Sequence, residues 1–184
     1  MSEEPHDKLL PEALEDEPTR AGLKKVTEGQ WAGWYHYEPS DAFEDHTGPF
    51  YCKPERKKMV CGFRPDDKNC NAGGNIHGGS LMTFADYALF MIAGGMNNEV
   101  HGVTVTCNCE FVNAAVPGKL LIARGEVVRA GLSMVFVRGI IYDSDDGDRP
   151  VLAFSGSIKR LPVRERLSLV RAEPQVRQPQ RAAV

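Results

Sequence analysis

The chain lacks any uninterrupted apolar run of the roughly 18 residues that a membrane-spanning helix needs, because Asp86 and glycines break its longest hydrophobic stretch. It also lacks a basic excess. Its 22 lysines and arginines stand against 25 acids, a net charge of −3, whereas a nucleic-acid binder shows a basic face. The first twenty residues carry seven acids and no apolar stretch, so they do not read as a secretory leader. Cysteine is present but without the regular spacing of a disulfide framework: Cys52, Cys61, Cys70, Cys107 and Cys109 are an odd number. These absences predict a cytoplasmic protein with free thiols and neither a membrane nor a nucleic-acid partner.

Several reaction classes are missing their residues. The stretch Gly73-Gly74-Asn75-Ile76-His77-Gly78-Gly79-Ser80 has the spacing of a P-loop, but Gly79 stands where the lysine belongs. Without that point charge for phosphates, nucleotide hydrolysis is excluded. No G-x-G-x-x-G marks a dinucleotide site, and no G-x-S-x-G elbow marks a serine hydrolase. Cys107-x-Cys109 places two sulfurs on one strand face without a second Cys or His pair, so core packing is favoured over metal. No metal and no cofactor are expected.

The 184 residues are 42% hydrophobic and 26% charged, ordinary values for one globular domain with extensions. Residues 1–50 read as a partly flexible N-terminal extension, residues 51–163 as the folded domain, and residues 164–184 as a flexible basic tail. Within the extension, Trp31, Trp34, Tyr35, Tyr37, Phe43 and Phe50 form an aromatic cluster with Tyr51. The cluster either covers part of the core or lends rings to a ligand pocket. Lys58–Phe63 predicts a strand, and Gly78 to about Ala93 a helix that is apolar almost all round and therefore buried. Val103 to Phe111 alternates like a half-buried strand, and Leu120–Arg129, Ser133–Tyr142 and Val151–Arg160 follow as three more. One buried helix followed by an antiparallel meander is an α+β plan in which a sheet wraps a helix.

Asp86 is the only charged side chain between His77 and Glu99. An ionisable group in so apolar a helix costs several kcal/mol unless it is paired or used. Just upstream, the glycine turn exposes backbone N–H groups at a helix N-terminus, donors suited to a developing oxyanion. A carboxylate and an oxyanion donor on one short segment make a candidate catalytic constellation. The bland readings are a buried Asp that bridges elements and a turn that permits close packing.

The same residues resemble the hotdog-fold acyl-CoA thioesterases, in particular the PaaI-like, phenylacetate-pathway branch. Asn71 is followed six residues later by His77-Gly78-Gly79, with Asp86 eight residues beyond Gly78. Thr104 in Gly102-Val103-Thr104-Val105 stands eighteen positions after Asp86, and Pro117-Gly118 and Arg129-Ala130-Gly131-Leu132-Ser133 complete the pattern. The resemblance spans about Lys58 to Leu161. It implies a hotdog fold and hydrolysis of an acyl- or aryl-CoA to the free acid and CoA. Gly78 N–H would polarise the thioester carbonyl, Asp86 would be nucleophile or general base, and Asn71 would position water or the carbonyl. His77 would orient the loop, and Thr104 would hydrogen-bond the water or the acid. Gly79, Arg129, Gly131 and Ser133 would contact the substrate, with Arg129 and Lys159 near the CoA phosphates. A homodimer or homotetramer is implied, with each site shared across the dimer interface. The alternatives are a non-catalytic acyl-CoA-binding hotdog protein and a hotdog hydratase or dehydratase. One conflict stands within the sequence. Strict alternation turns Thr104 away from the face of Val103, Val105 and Cys107, and so away from the central helix if that face meets it. A bulge near Gly102 or an interface location would resolve this.

Overall fold

The computed structural model describes residues 22–96 and 100–162, so the acidic first twenty residues and the basic tail of 164–184 lie outside the described residues. The elements are β1 (Leu23–Lys25), β2 (Tyr35–Tyr37), α1 (Ala42–Thr47), β3 (Phe50–Glu55), β4 (Lys58–Phe63) and α2 (Gly78–Gly94). They continue as β5 (Gly102–Phe111), β6 (Leu121–Ala130), β7 (Met134–Asp143) and β8 (Arg149–Arg160). All eight strands join one sheet in the order β1-β2-β3-β4-β6-β7-β8-β5, and every pairing is antiparallel. The helix α2 packs across β4, β5, β6, β7 and β8. This is the wrapped helix that the sequence pattern predicts.

Burial explains the arrangement. Leu81, Phe84, Ala85, Tyr87, Ala88, Leu89, Met91 and Ile92 are all buried, so α2 has apolar contacts over most of its circumference. Facing it, Phe63, Leu121, Ile141, Leu152 and Ile158 are fully enclosed. Helix and sheet approach closely because glycines stand at the contact. A Cβ on Gly125 would sit 2.8 Å from Ile92 Cδ1, and one on Gly156 would overlap Leu89 Cδ1. The helix stops where Gly95 takes a positive φ of 58°, a conformation that glycine adopts at little cost.

The N-terminal segment is part of this sheet. β1 pairs with β2, and β2 pairs with β3 through Tyr35 and Cys52. Its two tryptophans pack on the outer face, where Trp31, Trp34, Val60 and Ile122 form a second small core. The Trp31 ring stacks on Tyr51 at 4.2 Å. Gly62 makes room for both indoles, since a Cβ there would lie 2.6 Å from Trp34 and 2.7 Å from Trp31. α1 was not anticipated. Asp41 starts it by accepting from the N–H groups of Phe43 and Glu44, and six residues are too few to show helical periodicity.

Gly156→Val should test the close packing. The added side chain meets Leu89 and stands 2.6 Å from the Thr106 carbonyl, an overpacking that costs about 1–3 kcal/mol. Urea unfolding should show that loss with an unchanged slope, whereas wild-type stability would mean the sheet yields freely at this point.

Candidate active site

The glycine turn is built by its own side chains. Asn71 Oδ1 accepts from Gly73 N–H at 2.8 Å and from Asn75 N–H at 3.3 Å, which folds the loop back on itself. His77 caps α2: its Nδ1 accepts from Gly79 N–H at 2.9 Å, and its own N–H donates to the Asn69 carbonyl at 2.7 Å. The His77 ring therefore spends one nitrogen on the turn. Gly78 is the first helical residue, and no acceptor for its N–H occurs among the described residues. A donor left open at a helix N-terminus is a site for developing negative charge. The Phe111 ring closes over this glycine, 3.1 Å from where a Cβ would stand.

Asp86 lies two turns further along α2 and is half-buried. Thr104 Oγ1 donates to Asp86 Oδ1 at 2.7 Å. This contact depends on an irregularity in β5. Thr104 pairs with Ile158 and Thr106 with Ser157, so Val105 is an extra residue in the strand. The bulge corrects the single apolar face read from alternation. Thr104, Cys107 and Cys109 turn toward the helix, while Val103 and Val105 are 46% and 53% exposed. The two sulfurs, 3.9 Å apart, hydrogen-bond each other. That bond raises the Cys107 thiol and lowers Cys109. Among the described residues no group of three His, Cys, Asp or Glu side chains converges as metal ligands would.

The remaining predicted residues lie elsewhere in the chain. Thr104, Ile158, Val135 and Ala130 form one row across β5, β8, β7 and β6. Arg129 and the exposed turn of Gly131 and Ser133 therefore share a sheet end with Thr104, three strand spacings or about 14 Å away. Lys159 pairs with both Val103 and Met134 at that end. In this turn Gly131 N–H donates to Met134 O, and Ser133 O accepts from Arg160 N–H. A cavity of about 560 Å³, lined by Lys58, Arg124, Glu126 and Arg138 among others, includes none of the predicted residues.

Asp86 opens instead onto a cavity of about 290 Å³ whose walls include Tyr37, Asp41, Glu44, Phe90 and Val100. Tyr37 thus brings one ring of the aromatic cluster to the site, while Trp31 and Trp34 stay on the outer face. Glu44 escaped the sequence reading. Burial, then the carboxylates of Asp41, Asp86 and Asp45, push it up from 4.5 to about 7. The signal available was only an acid in an aromatic-rich stretch, and nothing in the spacing tied it to Asp86.

Comparison with known proteins agrees with this fold. The sequence model of the thioesterase superfamily matches residues 73–149. Over 114 residues, 61% of this chain, the sequence is 33% identical to "Putative esterase PA0474" of Pseudomonas aeruginosa, covering 83% of that protein. Among solved structures, the Escherichia coli PaaI protein from the phenylacetic acid degradation operon superposes with a TM-score of 0.59. It matches 68% of this chain and 88% of that one at 19% identity. Zebra fish thioesterase superfamily member 2 also gives 0.59, over 66% and 88% of the two chains at 20% identity. A hypothetical thioesterase of Streptococcus pneumoniae TIGR4, solved with coenzyme A, gives 0.53 over 61% and 85% at 21% identity. The fold is the hotdog fold of thioester hydrolases. The chain belongs to the thioesterase superfamily.

Glu44 should leave a mark on stability. Its folded-state value lies above its unfolded one, so its contribution is fully present below about 4.5 and is lost as pH rises through about 7. The melting temperature of the wild type should fall relative to Glu44→Gln across that window. A difference that stays constant from pH 4 to 8 would contradict the burial of this carboxyl.

Proposed function

We propose that the protein hydrolyses acyl-CoA thioesters at sites shared by two copies of the chain, with Asp86 and Thr104 from one and Asn71 and Gly78 from the other. The observation that carries this reading is the spacing along α2. Gly78 and Asp86 are eight residues apart on one helix, hence about 12 Å along its axis and turned about 80° around it. A thioester carbonyl must lie about 3 Å from both its oxyanion donor and its attacking group. One chain cannot place both, and a second copy can.

The sheet edge supports the same arrangement. β5 is the last strand of the sheet and is ten residues long. Val103, Val105 and Phe111 on it are each about half exposed. A long apolar edge strand is a template for pairing with another chain, and β5 also carries Thr104. Two copies joined there bring their α2 helices alongside each other.

In this site Gly78 N–H, aided by the helix dipole, polarises the thioester carbonyl and receives its developing negative charge. Asp86 attacks the carbonyl carbon or takes a proton from an attacking water, with Thr104 fixing its carboxylate. Asn71 Nδ2, the part of its amide the loop does not use, orients the water or the carbonyl. A thioester needs only modest activation, so one carboxylate and one oxyanion donor suffice. Gly79, Gly131 and Ser133 contact the pantetheine or nucleotide part, and Arg129 and Lys159 supply positive charge for the CoA phosphates. The Streptococcus relative holds coenzyme A, which favours this substrate class. A cytoplasmic location suits the five free cysteines. Among the described residues no helix is long and apolar enough to cross a membrane.

Thiol release from a panel of acyl-CoAs should fall at least ~100-fold in kcat for Asp86→Asn. Gly78→Pro is the complementary change, because proline is well tolerated at the first helical position and removes the N–H. Its ring also crowds Phe111, 3.1 Å from the Cβ position, so Gly78→Ala, which crowds Phe111 but keeps the N–H, is its control. His77 already has the extended ψ of 135° that precedes a proline. The kcat of Gly78→Pro should fall by about 10²–10³. Mixing the two inactive variants should restore activity, since each mixed pair then holds one intact site. No recovery in folded, exchanging dimers would reject the shared site, as would a monomer by sedimentation at micromolar concentration.

A further inference from the structure

The cavity beside Asp86 is closed by the N-terminal segment, which lies before the residues 73–149 matched by the family model. Pro39, Asp41 and Glu44 wall it from one side, with Tyr37 of β2; Asp86, Phe90 and Met91 of α2 stand opposite. A second cavity of about 200 Å³ adjoins it, and Tyr37, Glu44 and Tyr87 line both. Glu44 therefore stands in the partition between them; Phe90, Met91 and Val100 give the first cavity an apolar side, and Asp41 and Asp86 give it a polar one.

Resting on the thioesterase reading, we propose that Glu44 is a specificity-determining residue: neutral, it lets a short acyl group settle against the apolar side of this chamber, and ionised, it excludes that group. The acyl part of a thioester held at Asp86 must extend into space that Asp86 itself borders, and this is the cavity it borders. At about 290 Å³ the chamber is at the lower limit for ligand pockets. An apolar cavity of ~150 Å³ accepts one benzene ring, so the room here suits a short chain or a single ring with a short linker.

The surrounding charges select Glu44 as the variable wall. On its own element, Asp41 is occupied in capping α1, and Asp45 accepts from Ser40. From α2 it meets Asp86 and the phenol of Tyr87, which burial pushes up. From β2 and β3 come Tyr37, His36 and Tyr51, the last two only along the second cavity. Near neutral pH Glu44 can thus be carboxyl or carboxylate. Seating an apolar group against the carboxylate strips its water without replacing it, so binding selects the protonated form.

The test uses the full-length dimer with acetyl-, butyryl- and hexanoyl-CoA between pH 6 and 8.5. For hexanoyl-CoA, the wild-type KM should rise roughly fifteenfold between pH 7 and 8.5, as expected when binding requires one proton on a group that titrates at about 7, while kcat changes less. Glu44→Gln should hold KM flat and low over the whole range, and so should Glu44→Leu. Acetyl-CoA, too short to reach the partition, should give the same KM in all three. Calorimetric binding of hexanoyl-CoA to Asp86→Asn, with and without Glu44→Gln, should show the pH effect and its loss without turnover, the effect moving to lower pH because one of the carboxylates that raise Glu44 is gone. A pH-independent wild-type affinity, or a rise that persists in Glu44→Gln, overturns the proposal. Absence of hydrolysis with pH-dependent binding intact would instead strike the thioesterase reading and leave Glu44 in place.

Discussion

The hydrogen bond from Thr104 to Asp86 joins the centre of the most apolar helix to the free edge of the sheet. A carboxylate in such a helix is stable only if something polar meets it. A regular β5 could not supply that group, because alternation would turn Thr104 outward. One extra residue at Val105 reverses the pleat locally and lets a hydroxyl reach the helix while Cys107 and Cys109 still pack inward. The acid, the bulge and the edge strand are therefore one requirement. The polar pair at the site also fixes how the last strand lies on the core.

A second constraint follows from rigidity. α2 is held on nearly all sides, so the open N–H at Gly78 and the acid at Asp86 keep a fixed separation that no side-chain rotation closes. In the proposed site, groups spread along one stiff rod would be completed from outside it, at the sheet edge that carries Thr104. The glycines at Gly125 and Gly156 bring the rod close to the sheet and hold it there. Close packing here serves geometry as much as stability.

The sequence was most legible where one period dominates a long segment. α2 and β4 through β8 fall within a residue or two of the pattern, and the family motif supplied Asn71, Gly78, Asp86 and Thr104 as a set. The bulge was less legible, since one inserted residue leaves V-T-V-T-C-N-C looking like an unbroken alternation. The orientation of Thr104 called for a bulge near Gly102 or an interface location, and the inserted residue is instead Val105. The place of Glu44 could not be read at all. It depends on how the N-terminal segment crosses the outer face, and that path is set by Trp31 and Trp34 meeting Gly62, some thirty residues downstream. Neither partner of such a contact announces the other, because both signals, an aromatic and a glycine, are common.

That aromatic contact has an optical consequence. The chain's two tryptophans both lie in this small outer core, edge-on to each other at 5.1 Å, with Trp31 stacked on Tyr51. Indole emission from this protein therefore reports the seating of the N-terminal segment on β4 rather than the state of the helix-filled core. The segment that carries the wall beside Asp86 is the one that fluoresces, so its detachment can be followed by light alone while the rest of the fold stays silent.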